Sequence, residues 1–395
     1  MIQTRGTDLW ERDPVRTEVE TFLALKRLEN DPSVTYLALP WAPWINGSAR
    51  IPKLEQLKGK AFTVCQHIRF REITRMLADA GVETLFTPHA TRSEPYINGV
   101  RILGLPHFPV AFKEQEPDPD ILFSFLGAPT ARVRRDIVAK FGGPHVAMRD
   151  RWHFEIPSEQ RVKEKGEYAD VMSRSRFALC PKGTGPSSLR IWEAIAARVI
   201  PVVLADDLRL PIGIDWESCS IQIEEDRVDD IPPMLAGISA EKYAELREGV
   251  RAAAALLSGS FAFPILRWLD YGKHPVFMTA KERLLIERHL HPKHACLEWG
   301  AGGSTLHFSQ LVRRYVSIEH DPAWHIRLSS LAPPAELILS AVSHRGGPGD
   351  PVTFEDYIKT PANLGEKFDR ILIDGRCRVK CAMQVVESNL LAPGG

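Results

Sequence analysis

The sequence predicts an α/β protein built on parallel sheets, and three observations carry that prediction. Short apolar runs rich in β-branched and aromatic residues alternate with helix-spaced segments along the chain. One such run ends in a Gly/Pro loop that opens into a helix at two serines. Another ends in Gly300-Ala301-Gly302-Gly303, again just before a helical pattern.

Taken in order, residues 35–40 and 61–65 read as strands, and 70–80 carries helix-spaced apolar positions until Gly81 stops it. Residues 82–86 and 100–105 are further strands. At 114–120, Glu-Gln-Glu-Pro-Asp-Pro-Asp, the chain turns acidic and proline-broken, which marks a boundary. A second unit opens at 121–127 and continues through strands at 176–180 and 200–204, with helices at 241–257 and 263–269 to close it. Tyr271-Gly272-Lys273-His274-Pro275 reads as a linker. Strands then recur at 295–299, 315–319, 335–339 and 368–374. The expected domains are therefore 1–117, 118–270 and 271–395, consistent with a length of 395 residues and units of ~100–200 residues each.

Fifty Lys plus Arg balance fifty Asp plus Glu, so no overall field draws the chain to nucleic acid or an anionic bilayer, and recognition must come from local sites. The cluster Arg132, Arg134 and Arg135 is too short to change that for nucleic acid. Six cysteines are scattered without a CxxC pair, which favours reduced, buried thiols over a disulfide framework. Cys377 and Cys381 are spaced i, i+4 but lack two further ligands for a metal. No apolar leader opens the chain and no run of ~18 apolar residues occurs, so the expectation is a soluble cytoplasmic protein, with peripheral membrane association left open.

The most informative segment is the run from Arg176 to Ala197. A buried strand enters Cys180-Pro181-Lys182-Gly183-Thr184-Gly185-Pro186, and Ser187-Ser188 then start a helix whose apolar face holds Leu189, Trp192, Ile195 and Ala196. Free N–H groups at a helix start, with its dipole, make an anion site, and two serine hydroxyls add donors. Lys182 and Arg190 place two cations beside it. Glu193, a carboxylate in an otherwise apolar helix, lies just over a turn from Ser188. That ~5.4 Å rise is comparable to the step from a diphosphate to its ribose, whose diol would give Glu193 two donors. A Glu193–Arg190 surface pair is the alternative.

These residues resemble the exostosin-like glycosyltransferases, glycosyltransferase family 47. The resemblance rests on Cys180-Pro181-Lys182-Gly183, Pro186-Ser187-Ser188-Leu189-Arg190, Glu193, Ile200-Pro201-Val202-Val203, Asp206-Asp207 and Leu210-Pro211, in that order. The strand 122–127 followed by Arg132, Arg134 and Arg135 is similar to the family's opening strand and arginine-bearing helix. The likeness covers 118–240 well and 1–117 weakly, and departs at Arg198, where the family usually has glycine. It implies a GT-B type pair of Rossmann-like lobes, the acceptor in the first and a nucleotide-sugar, UDP-sugar above all, in the second. It implies inversion without a metal, and a glycan or glycolipid acceptor in surface polysaccharide synthesis. Carried onto this chain, the donor-binding set is Arg134, Arg135, Lys182, Ser187, Ser188, Arg190 and Glu193. Asp206-Asp207 admits a metal-binding reading, against which its spacing and the following Leu-Arg-Leu-Pro favour a loop or cap.

Direct displacement needs a base from the first lobe, and strand ends are where such groups belong. His67, Glu72 and His89 are the candidates, with His67 leading. Trp41 and Trp44 either line an acceptor groove or anchor the core.

In the third domain, Thr305 stands where a dinucleotide fingerprint has its third glycine, which weakens an NAD reading. The segment instead resembles class I S-adenosylmethionine-dependent methyltransferases. The matching residues are Glu298, Gly300 and Gly302, then Glu319 and Asp374 at the ends of later strands, with 391–395 as the turn before a fifth strand. By that register the expectation is a truncated Rossmann-like methyltransferase domain lacking its later strands, joined to the glycosyltransferase, with S-adenosylmethionine as its cofactor. Methyl transfer alone, with a non-catalytic exostosin-like region, is the alternative.

Overall fold

The computed structural model describes residues 1–12, 16–26, 34–47, 49–51, 53–149, 158–331, 333–342 and 354–394. Gly395, the end of the expected turn, lies outside them. The chain parts into two compact units, Met1–Pro211 with Asp215–Phe263, and Ile212–Ile214 with Pro264–Gly395. All but the first residue of the helix Phe263–Tyr271, expected to close the second domain, thus falls in the later unit.

Unit 1 contains two sheets. The first has β1 (Ile2–Thr4), β2 (Val34–Ala38), β3 (Lys60–Val64), β4 (Thr84–Thr87), β5 (Tyr96–Ile97) and β6 (Val100–Gly104), ordered β1-β2-β3-β4-β6-β5. Every pair is parallel except the short β5–β6 hairpin. Leu37, Leu85 and Ile102 pack with Trp41, Trp44, Phe70 and Leu77. The two tryptophans are buried, 5.6 Å apart edge to face, and the Trp41 indole donates to Thr63 Oγ1 at 2.7 Å. They are core anchors, and the acceptor-groove alternative is set aside.

The second sheet has β7 (Ile121–Gly127), β8 (Val146–Met148), β9 (Ser175–Pro181), β10 (Ile200–Leu204) and β11 (Ile221–Gln222), all parallel, in the order β11-β10-β9-β7-β8. β9 and β10 are central, which is why both read as continuous apolar runs rather than alternating ones. The turn before β10 forms despite the departure at Arg198. Arg198 takes φ 64°, the left-handed conformation that glycine adopts more easily, and its guanidinium pairs with Glu114.

The helix Arg16–Lys26 carries a fully buried carboxylate, Glu18. Glu18 accepts from the Ala42 and Gln66 amides at 3.2 Å each and from the Trp10 indole at 3.3 Å, joining the loops after β2 and β3. Burial outweighs these bonds and pushes the carboxyl up to about 8. A carboxyl raised on folding holds its proton longer in the native state than in the unfolded one. Its contribution is complete below about pH 4.5 and is lost as pH rises through about 8. Glu18→Gln is expected to flatten that part of the decline in the urea midpoint; an unchanged pH profile would show that Glu18 is ionised in the folded protein.

Unit 2 has β12 (Ala295–Trp299), β13 (Arg314–Glu319), β14 (Glu336–Leu339) and β15 (Arg370–Ile373), all parallel, in the order β14-β13-β12-β15. Trp299, Val316, Ile318, Tyr357 and Phe368 form its core. No disulfide joins any of the six cysteines; five are buried and Cys377 is half-buried. Among the described residues no single helix is long and apolar enough to cross a membrane.

Candidate functional site

The loop leaving β9 is held by arginines. Arg134, on the helix Arg132–Phe141, donates to the carbonyls of Lys182 (2.7 Å), Ala128 (3.1 Å) and Pro181 (3.2 Å). Arg190 donates to the Leu126 carbonyl and lies over the rings of Phe125 (4.6 Å) and Tyr168 (5.4 Å). Both are 8 % exposed, and among the described residues neither forms an ion pair. Two buried positive charges whose hydrogen bonds go to carbonyls, with no carboxylate in direct contact although the Glu193 carboxyl feels the Arg190 charge, favour an anion at this place.

Ser188 is the N-cap of the helix Leu189–Ala197, in extended conformation, and its hydroxyl caps none of the helix's own amides. Ser187 and Ser188 are 7 % and 6 % exposed. The serine start expected from the sequence is therefore present, with the leading amides free of a side-chain cap. Lys182 is less available than the sequence implied, since its ammonium pairs with Glu225 at 2.6 Å. The Glu225 carboxylate also accepts the Asp206 amide (3.1 Å), and the Asp206 carboxylate the Glu225 amide (3.0 Å). Arg135 points to the Pro129 carbonyl at 3.0 Å in an exposed position, away from Lys182 and Pro181.

Glu193 is 5 % exposed, so the alternative of a surface pair with Arg190 fails. It takes the Tyr168 hydroxyl at 2.7 Å and the Ala111 amide at 3.2 Å. Burial raises its carboxyl above the ordinary value, against the Tyr168 bond and the Arg190 charge. With a further backbone donor at Val110, these leave about one of a carboxylate's roughly four acceptor positions unused. Tyr168 was not anticipated, because its helix, Ser158–Ser173, shows too little apolar periodicity to announce itself. The Ala111 amide belongs to the segment between β6 and β7 that lies over Glu193, with Val110 and Phe112 exposed on either side.

The first sheet's candidates separate on hydrogen bonding. In His67, Nδ1 accepts from the Arg69 amide at 3.0 Å, so Nε2 carries the proton and donates to Asn46 Oδ1 at 2.8 Å. With both nitrogens engaged, His67 has no lone pair to offer and its lead as a base is withdrawn. Glu72 is exposed and pairs with Arg69 at 3.4 Å. His89 differs: it is 9 % exposed, edge to face with His107 at 5.2 Å, and its Nδ1 has no hydrogen-bond partner. Burial, then the His67 charge, pull its imidazole down to about 4. It faces the loop after β9, because a Cβ built on Gly185 would stand 2.7 Å from His89 Nδ1.

Around His89 the two sheets' loops are tied. The Arg92 amide donates to the Asp207 carbonyl (2.8 Å), the Arg209 amide to the Ala90 carbonyl (3.0 Å) and the Arg209 guanidinium to the Ile102 carbonyl (2.7 Å). The Asp207 carboxylate takes the Ser93 amide at 2.8 Å and its hydroxyl at 2.5 Å. The Asp206 and Asp207 carboxylates thus cap neighbouring loops, the role that their spacing favours.

In unit 2, Gly300 takes φ 95°, as the tight turn after β12 requires, and a Cβ there would meet Gly375 Cα at 2.5 Å. The carboxylates assigned to S-adenosylmethionine are otherwise employed. Glu298 is fully buried and accepts from the hydroxyls of Ser304, Thr305 and Ser317; burial pushes it up to about 7. Glu319 takes the amides of Ala301, His320 and Asp321. Despite burial, those bonds and the His320 ring hold Glu319 below its ordinary value. The three amides fill most of its acceptor positions, so it does not fit as a ribose clamp in this conformation. Asp374 pairs with Arg378 at 3.1 Å, and Gly302 is the N-cap of the short helix Gly303–Phe308.

Residues 62–238 match the exostosin GT47 domain. The match includes most of β3, then β4 to β11, the arginine clamp, the serine helix start and Glu193. Among curated proteins, probable glucuronosyltransferase GUT1 of Oryza sativa subsp. japonica is 32 % identical over 139 residues, 34 % of this chain and 33 % of that one. Probable beta-1,4-xylosyltransferase IRX10L of Arabidopsis thaliana is 32 % identical over 153 residues, 38 % of this chain and 35 % of that one. The Exostosin-1 homolog of Caenorhabditis elegans is 34 % identical over 90 residues, 22 % of this chain and 24 % of that one. The matching stretch thus spans about a third or less of these relatives' length. Sucrose-phosphate synthase from Thermosynechococcus elongatus aligns over 68 % of this chain and 80 % of that one, at TM-score 0.32 and 14 % identity.

Proposed function

We propose that unit 1 is a glycosyltransferase of GT-B type that moves a sugar from UDP to a glycan or glycolipid hydroxyl with inversion and without a metal. The observation that carries this reading is the pair of buried arginines in no direct ion pair, Arg134 and Arg190, beside an uncapped serine helix start. As the bond from sugar to diphosphate breaks, negative charge grows on the leaving oxygen, and preorganised donors and cations stabilise it. Ser187 and Ser188 with the leading amides would hold the phosphates, Arg190 and Arg134 would supply positive potential, and Lys182 would join if Glu225 released it. Glu193 would take the ribose hydroxyls, the Ala111 amide giving way. The matches to glucuronosyl- and xylosyltransferases make UDP-glucuronic acid and UDP-xylose the first donors to try. A role in surface polysaccharide assembly fits a glycan acceptor.

The test is thermal shift with UDP and these two donors, followed by UDP release. A ligand at one hundred times its Kd should stabilise unit 1 by about 2.7 kcal/mol. No shift with any of the three would remove the reading.

For unit 2, the second reading is a methyltransferase-like module. The sheet order and the turn at Gly300 favour it, and the engaged carboxylate of Glu319 opposes it. Calorimetry with S-adenosylmethionine decides: absence of heat retires it.

A further inference from the structure

His89 is the one base candidate whose ring nitrogen is both unpartnered and directed at the donor loop. Its Nδ1 is buried and makes no hydrogen bond, an arrangement that costs stability unless function keeps it. What covers it is Gly185, in the turn closed by the Gly183 amide donating to the Gly185 carbonyl at 3.1 Å. The absence of a side chain lets the loop lie on the ring; a Cβ would also meet Ile68 Cδ1 at 3.1 Å. The same loop leads within two residues to Ser187, where the diphosphate would dock. A ligand drawn onto Ser187 and Ser188 therefore pulls on the segment that seals His89.

Resting on the donor-site reading above, we infer that His89 takes the proton from the acceptor hydroxyl, and that Gly185 keeps it covered until the donor is bound. In the step itself the acceptor O–H proton passes to His89 Nδ1 while the acceptor oxygen forms a bond to the anomeric carbon. The bond from that carbon to the diphosphate breaks, its electron pair stays on the phosphate oxygen, and the imidazolium later returns its proton to solvent. Burial under the loop is the main cause of the ring's low basicity, so uncovering it restores basicity when it is needed. Binding is thereby ordered, donor before acceptor, and a donor-free enzyme cannot deprotonate an acceptor.

The experiment measures carbethoxylation of His89 in the full chain by peptide mass spectrometry, with and without UDP, using exposed His289 as the reference. UDP binding is followed in parallel by calorimetry. UDP should bind and raise His89 labelling several-fold, the reverse of ordinary ligand protection. UDP binding with unchanged or reduced labelling overturns the cover and leaves the donor site standing; no UDP binding overturns the donor site and the cover with it. The His89→Gln variant should bind UDP as the parent does while releasing it from the nucleotide-sugar at least ~100-fold more slowly. Parental rates in that variant would overturn the assignment of the base.

Discussion

Glu193→Ala is expected to lower kcat/KM for the nucleotide-sugar by ~10²–10⁴, because two hydroxyl bonds to a charged acceptor are worth ~1.5–3 kcal/mol each. The substitution also strands the Tyr168 hydroxyl and the Ala111 amide in a buried site, so some loss of melting temperature accompanies it. Tyr168→Phe separates the two effects. It keeps the carboxylate but removes the donor that helps it ionise, so Glu193 moves further up and the acidic limb of UDP binding shifts to higher pH. A purely structural Glu193 would lose stability in both variants with no such shift. Near-parental kcat/KM in a folded Glu193→Ala protein would remove the carboxylate from donor binding.

The second large effect is on stability. Arg134→Ala deletes one guanidinium that serves three backbone carbonyls, two where β9 enters the donor loop and one just after β7, and leaves those acceptors without it. The expected cost is about 3–5 kcal/mol, read from the urea midpoint of unit 1. Arg134→Lys should recover little of it, since a single ammonium cannot reproduce the planar fork that reaches Lys182, Pro181 and Ala128 together. UDP affinity should fall with it, because the loop would lose its fixed path. If Arg134→Lys lies within about 1 kcal/mol of the parent, charge rather than shape is what the site needs.

What the sequence revealed follows from burial. β7, β9, β10 and β12 are apolar over most of their length because both faces are covered, and each was found within a residue or two of its bounds. β1, β5 and β8 are three residues or fewer and lie at or beside sheet edges, where periodicity has too few positions to register. At the site, spacing placed Ser187, Ser188, Arg190 and Glu193 on one helix start, as the structure has them. Spacing said nothing of what other segments bring. Tyr168, Ala111 and Glu225 reach the loop and helix from distant positions, and only the fold shows that Lys182 and Glu193 already have partners. His67 and His89 look alike in a string of letters. The amide of Arg69 and the partner Asn46 disqualify the first, and no local pattern reports the second.

The backbone ties between 90–93 and 207–209, with Arg209 reaching Ile102, bear on how substrate length is read. On the proposed reading, two sheets stitched main chain to main chain beside the site would not swing widely to admit a bulky saccharide and then clamp down on it. The mouth is cut to size when the polypeptide folds. Selectivity among acceptors should then be steric and temperature-insensitive, set by side chains at the rim, and a chimera exchanging those rims would carry its preference along with them.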